Sequence, residues 1–178
     1  MKTVPQVFPV SKAIAVLCTA LLLALSIQQE AFAKEASILE KFEGEWASDG
    51  DAFGRDAESL MVWSQELDAR FYRLDYKIRM PSESGSVSQF EGIAYYRQNQ
   101  ANKFSGFWAD SSGDLHPIVA TELDSSLTAI WGVEGAKMGR TQYKLVETDA
   151  ILVTDWIKTP EDWKKFNQNT FLRVKNPD

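Results

Sequence analysis

The sequence predicts an all-β protein: an antiparallel up-and-down barrel of nine to ten strands with a short N-terminal helix. Three observations lead there. Apolar and polar residues alternate with period two through most of the chain after Gly44. Connections of two to eight residues separate the runs, too short for a crossover helix, so neighbouring strands run antiparallel. A meander of that many strands leaves two open edges unless it closes, and closure into a barrel removes them.

The first 33 of the 178 residues read as an export signal and not as part of the fold. Lys2 and Lys12 form a basic start, residues 13–27 are uncharged and apolar, and Ala31-Phe32-Ala33 places small residues where a signal peptidase cuts. Fifteen apolar residues are few against the roughly 20 a bilayer-spanning helix needs, so no integral membrane segment is expected after cleavage. Cys18 lies within the apolar run and does not end it, which argues against lipidation. Cleavage after Ala33 leaves residues 34–178 as one domain, periplasmic or secreted.

The only cysteine leaves with the signal, so the exported domain must rely on its core and not on disulfides. Without the signal, seventeen basic and twenty-four acidic side chains remain, a net charge of −7. An acidic surface repels phosphate backbones, so nucleic acid is not an expected partner.

Ile38, Leu39 and Phe42 recur at helical spacing within residues 35–43, and this helix would plug or cap one end of the barrel. Residues 59–67 place Met61, Trp63 and Leu67 on one strand face. Residues 70–80 alternate most clearly: Tyr72, Leu74, Tyr76, Ile78 and Met80 face one way, Arg73, Asp75, Lys77 and Arg79 the other. The charged face is read as outer surface. Strands are expected at 87–97, 103–110, 115–122, 127–132, 141–146, 151–157, 163–166 and 170–174. Ser111-Ser112-Gly113-Asp114 is the strongest turn signal, and Asp110 ahead of it is read as bonding the turn backbone. The Gly-x-aromatic segments at Gly92 and Gly106 are read as strand bends beside bulky rings.

Gly44-Glu45-Trp46 opens the domain and Phe171-Leu172-Arg173-Val174 nearly closes it. A Gly-x-Trp on the first strand, an arginine on the last and a meander between them resemble the calycins: lipocalins, fatty-acid-binding proteins and nitrobindin-like barrels. Phe107-Trp108-Ala109-Asp110 and Thr154-Asp155-Trp156 resemble bacterial envelope members near nitrobindin. The resemblance implies that Trp46 packs across the closed barrel end and that Arg173 lies over it, by cation–π stacking and donation to nearby carbonyls. Nitrobindin-like proteins hold haem through a histidine near the chain's end. Here the final strands have none and His116 lies mid-chain, so haem is not expected, nor any other cofactor.

No catalytic motif is present, and one histidine without cysteine leaves no metal site in prospect. The six tryptophans and five tyrosines are the main chemical resource. They can fill a core or line a cavity, and ten strands can enclose a ligand where about eight just fill with side chains. Asp155 shares a face with Val153 and Ile157 and is expected to point inward, with Arg140 or Arg73 as partner. His116 is expected at the barrel mouth or outside. The expected function is binding of a small hydrophobic or amphiphilic molecule in the lumen. The ligand-binding set is Asp155, Arg140, Tyr143, Tyr76, Trp108 and Trp131. The alternative is a cofactor-free isomerase, lyase or hydrolase acting on a small apolar substrate, for which Asp155, Arg140 and a tyrosine would have to converge.

Overall fold

The computed structural model describes residues 36–82 and 85–175. The signal sequence read at residues 1–33, Cys18 included, lies outside the described residues. One short helix, α1 (Ile38–Phe42), precedes ten strands: β1 (Gly44–Ala52), β2 (Arg55–Glu66), β3 (Phe71–Pro81), β4 (Val87–Gln100), β5 (Lys103–Asp110), β6 (Leu115–Leu123), β7 (Ser126–Gly132), β8 (Met138–Glu147), β9 (Ala150–Lys158) and β10 (Trp163–Arg173). Each strand pairs antiparallel with its neighbour in sequence, and β1 pairs with β10 to close the barrel.

The strand pattern follows from side-chain alternation. On β3, Tyr72, Leu74, Ile78 and Met80 are buried. The opposite face carries ion pairs along and across strands: Arg73–Asp75 at 2.6 Å, Lys77–Glu91 at 3.5 Å and Arg79–Glu58 at 3.0 Å. The two strands expected at 163–166 and 170–174 form the single strand β10, which ends at Arg173. A register shift between Lys165 and Asn167 lets Phe166 bulge out of the ladder while pairing continues on both sides. Leu67 departs from the expected strand face. It stands in the turn that joins β2 to β3, left-handed at φ 52° and 67 % exposed, because β2 ends at Glu66.

The two ends of the barrel differ. At one end α1 buries Ile38, Leu39 and Phe42 against the lumen. Ser37 caps the helix by accepting from the Leu39 amide, and Glu122 of β6 accepts from the Ser37 hydroxyl at 2.8 Å and the Ile38 amide at 2.7 Å. Beneath it Trp46, Met61, Trp63, Tyr96, Phe104, Leu127, Ile151 and Phe171 form a packed core. No comparable plug stands among the described residues at the other end, where the loops after β1, β3, β5, β7 and β9 gather. The closing seam is short: Trp46↔Arg173 and Ala47↔Leu172 are the only paired positions of β1 and β10. Above them the Asn169 side chain spans the gap, donating to the Asp51 carbonyl at 2.7 Å.

Candidate functional site

The alternation that buries one face of every strand also decides which side chains look into the open half of the barrel. A cavity of about 760 Å³ occupies it. Met61, Tyr76, Tyr96, Ala129, Tyr143 and Val153 line its depth, and Phe53, Arg55, Phe90, Asp114, Lys137 and Phe166 its rim.

Two indoles lie against the wall because glycines face them. A Cβ on Gly92 would stand 2.1 Å from Trp108 Cζ2, and a Cβ on Gly139 1.9 Å from Trp131 Cζ2. Neither glycine is left-handed, so space and not backbone conformation is what each supplies. The indoles therefore cover the bare backbone of β4 and β8 and leave the lumen open between them. Trp108 Nε1 donates to Asp110 at 2.9 Å, and Asp110 also accepts from the Ser112 amide of the following turn. Gly106 answers a different need: its Cβ would lie 1.6 Å from the Tyr95 carbonyl oxygen, a close approach of backbones.

Asp155 of β9 lines the cavity between Val153 and Ile157. Its Oδ1 accepts from the Thr141 hydroxyl at 2.6 Å and its Oδ2 from the Asn167 amide at 2.9 Å. Thr141 faces it through strand register, and its oxygen also accepts from Trp131 Nε1 at 3.3 Å. Asn167 follows the β10 bulge, which sets its side chain opposite Asp155. Burial pushes the Asp155 carboxyl up from the usual carboxylate value, against the lowering effect of its two donors. Burial likewise raises the Tyr76, Tyr96 and Tyr143 hydroxyls, and the Asp155 charge adds to each rise. Tyr96 and Tyr143 bond one another, and Tyr76 bonds Ser59.

Five of the six residues read from the sequence thus line one cavity: Asp155, Tyr143, Tyr76, Trp108 and Trp131. Arg140 does not. It pairs with Trp156 across β8 and β9, one residue out of phase with Thr141 and Asp155, so it belongs to the outer wall. There its guanidinium lies 4.1 Å from the Trp156 ring centroid and 5.0 Å from that of Trp163. Arg73 is also outside, paired with Asp75, so neither arginine is the partner expected for Asp155. The arginine–carboxylate–tyrosine convergence that an enzyme reading asks for is not formed. His116 stands at the mouth against Trp131, ring centroids 5.4 Å apart, with Nε2 3.6 Å from Asp114. Sequence reading missed Tyr96, Thr141 and Asn167. Inward phase could have found the first two, but the bulge hides the phase of the third.

Among the described residues no group of three or more acidic, histidine or cysteine side chains could hold a metal ion, and no helix is long and apolar enough to cross a membrane. Fold and site together define a closed ten-stranded antiparallel barrel with a single-ended aromatic cavity. No protein-family profile matches the chain, and no curated protein matches it significantly.

Proposed function

We propose that this protein is an exported calycin-type barrel that binds a small hydrophobic or amphiphilic molecule in its lumen without catalysis. One observation carries the reading: the aromatic cavity of about 760 Å³, plugged at one end and open at the other. That volume falls within the roughly 300–1,000 Å³ typical of small-molecule sites, and its depth is lined by apolar groups and rings around one polar cluster of Asp155, Thr141 and Asn167, with further polar side chains at the mouth. Burial of apolar ligand surface would supply roughly 25 cal/mol per Å² before association costs. The signal-like start of the sequence supports export, and Trp46 with Arg173 over it supports the calycin resemblance.

Native mass spectrometry of protein purified from its source tests the binding reading directly. A co-purifying small molecule is expected, and its loss is expected in Ala129→Phe, which fills the cavity from the buried face of β7. Equal retention of that molecule by wild type and the filled variant would place it elsewhere and end the proposal. Export is tested by N-terminal sequencing of the secreted or periplasmic form, which should begin at Lys34.

A further inference from the structure

We propose that the ligand is an organic cation, a hydrophobic amine whose ammonium group pairs with Asp155 inside the aromatic cup. This rests on the cavity-binding reading above and names the chemical class that the cavity selects.

The argument starts from what Asp155 lacks. A carboxylate removed from bulk water is stabilised by a cation or by several donors. Here both donors are neutral, Thr141 and Asn167. Among the described residues no lysine or arginine forms an ion pair with Asp155. A carboxylate offers about four acceptor positions, so two remain free. Asp155 lines the cavity, which leaves those positions to an occupant.

The two cations lining the cavity are engaged at the rim. Lys137 donates to Asp114, and Arg55 contacts Met80 Sδ and the Ser88 hydroxyl at 3.3 and 3.4 Å. Deeper in, the lining offers electron-rich ring faces and hydroxyls. Trp108 and Trp131 lie along the wall over Gly92 and Gly139, and Tyr76, Tyr96 and Tyr143 complete the enclosure. Rings of this kind attract a cation through their quadrupoles, most strongly where water is excluded. A ligand carboxylate would meet Asp155 as a like charge. A neutral alcohol can donate one hydrogen bond to the carboxylate but brings no charge to offset it. An ammonium brings the opposite charge and up to three donors, and gains the ring faces as well.

The titratable groups facing Asp155 in the depth are Tyr76 on β3, Tyr96 on β4 and Tyr143 on β8, all with raised pKa values and therefore neutral below alkaline pH, while Asp110, Asp114, His116, Arg55 and Lys137 line the same cavity towards its mouth. Asp155 is thus the group that changes charge in the deep cavity, and amine binding is expected to strengthen as pH rises through its titration.

Three probes with one ring system and different head groups test the proposal by quenching of the intrinsic tryptophan fluorescence: naphthylethylamine, naphthylethanol and naphthylacetate. The amine is expected to bind about tenfold or more tighter than the alcohol, a factor worth about 1.4 kcal/mol, and the carboxylate weakest. In Asp155→Asn, nearly the same shape without charge, the ratio of amine to alcohol affinity should fall to about one. Wild-type protein alone supplies a second measurement, the rise of amine affinity with pH and the absence of any such rise for the alcohol. Binding of alcohol or carboxylate as tight as amine overturns the assignment and leaves the cavity reading standing. A preference for amine that persists in Asp155→Asn, or that ignores pH, also overturns it. Failure of all three probes to bind removes both readings together.

Discussion

Arg173 lies over Trp46, its guanidinium carbon 4.0 Å from the ring centroid, and so the last strand clamps the first. The same guanidinium donates to the carbonyls of Glu43 at 2.7 Å and Lys41 at 2.9 Å, just where α1 ends. Trp46 Nε1 donates to the Phe42 carbonyl at 2.6 Å. These contacts bind helix, first strand and last strand at the shortest seam of the barrel. Arg173→Ala is expected to lower stability by about 2–3 kcal/mol, the sum of a cation–π contact and charge-assisted bonds. Arg173→Lys should recover only part of this, because one ammonium cannot serve ring and both carbonyls in a planar fork. Urea unfolding of the three proteins checks the order; a lysine variant as stable as wild type would refute the clamp.

Gly139→Ala and Gly92→Ala should each reshape the cavity. The added methyl occupies the space of Trp131 in one case and Trp108 in the other. The ring must swing inward or the strand must shift, at a cost of about 1–3 kcal/mol. Shifted tryptophan emission and weaker cavity binding are expected together. Unchanged emission and stability would show that the indoles do not lie flat on these glycines.

Asp155 gives stability an inverted pH dependence. Its folded-state pKa lies above the ordinary 3.8, so between the two values the folded state holds more protons than the unfolded state. The contribution of this group to stability therefore falls as pH rises through that window, and the full cost of the buried charge is present above it. Asp155→Asn has no titrating group there. Wild type should gain on the variant as pH is lowered from neutrality towards 3.8. Parallel pH profiles for the two proteins in urea unfolding would contradict the assignment.

Arg140→Ala should leave cavity binding unchanged. Its guanidinium packs against Trp156 and Trp163 on the outer wall, so the loss is one of packing, about 0.5–2 kcal/mol. Fluorescence titration with any cavity ligand checks this, and a large drop in affinity without loss of fold would place Arg140 in the site after all.

The alternating strands, the short connections and the two end residues Trp46 and Arg173 were legible from the chain alone, because period-two patterning records which face of a strand is buried. Period-two phase also marks Tyr76 and Asp155. Arg140, expected as a partner for Asp155, stands one residue from the inward Thr141 and so faces out. Function was less legible than fold, since the same rings can pack a core or line a space.

The sequence by itself determined an all-β meander of about ten strands, since local alternation and turn chemistry act over a few residues. Only the tertiary structure decided that the cylinder is plugged at one end and hollow at the other. It alone decided that Asp155 meets Thr141 and Asn167 and, among the described residues, no cation. Those outcomes depend on ring size, on glycines facing indoles across neighbouring strands, and on a one-residue bulge in β10. Each is a relation between residues distant in sequence, set when the barrel closes.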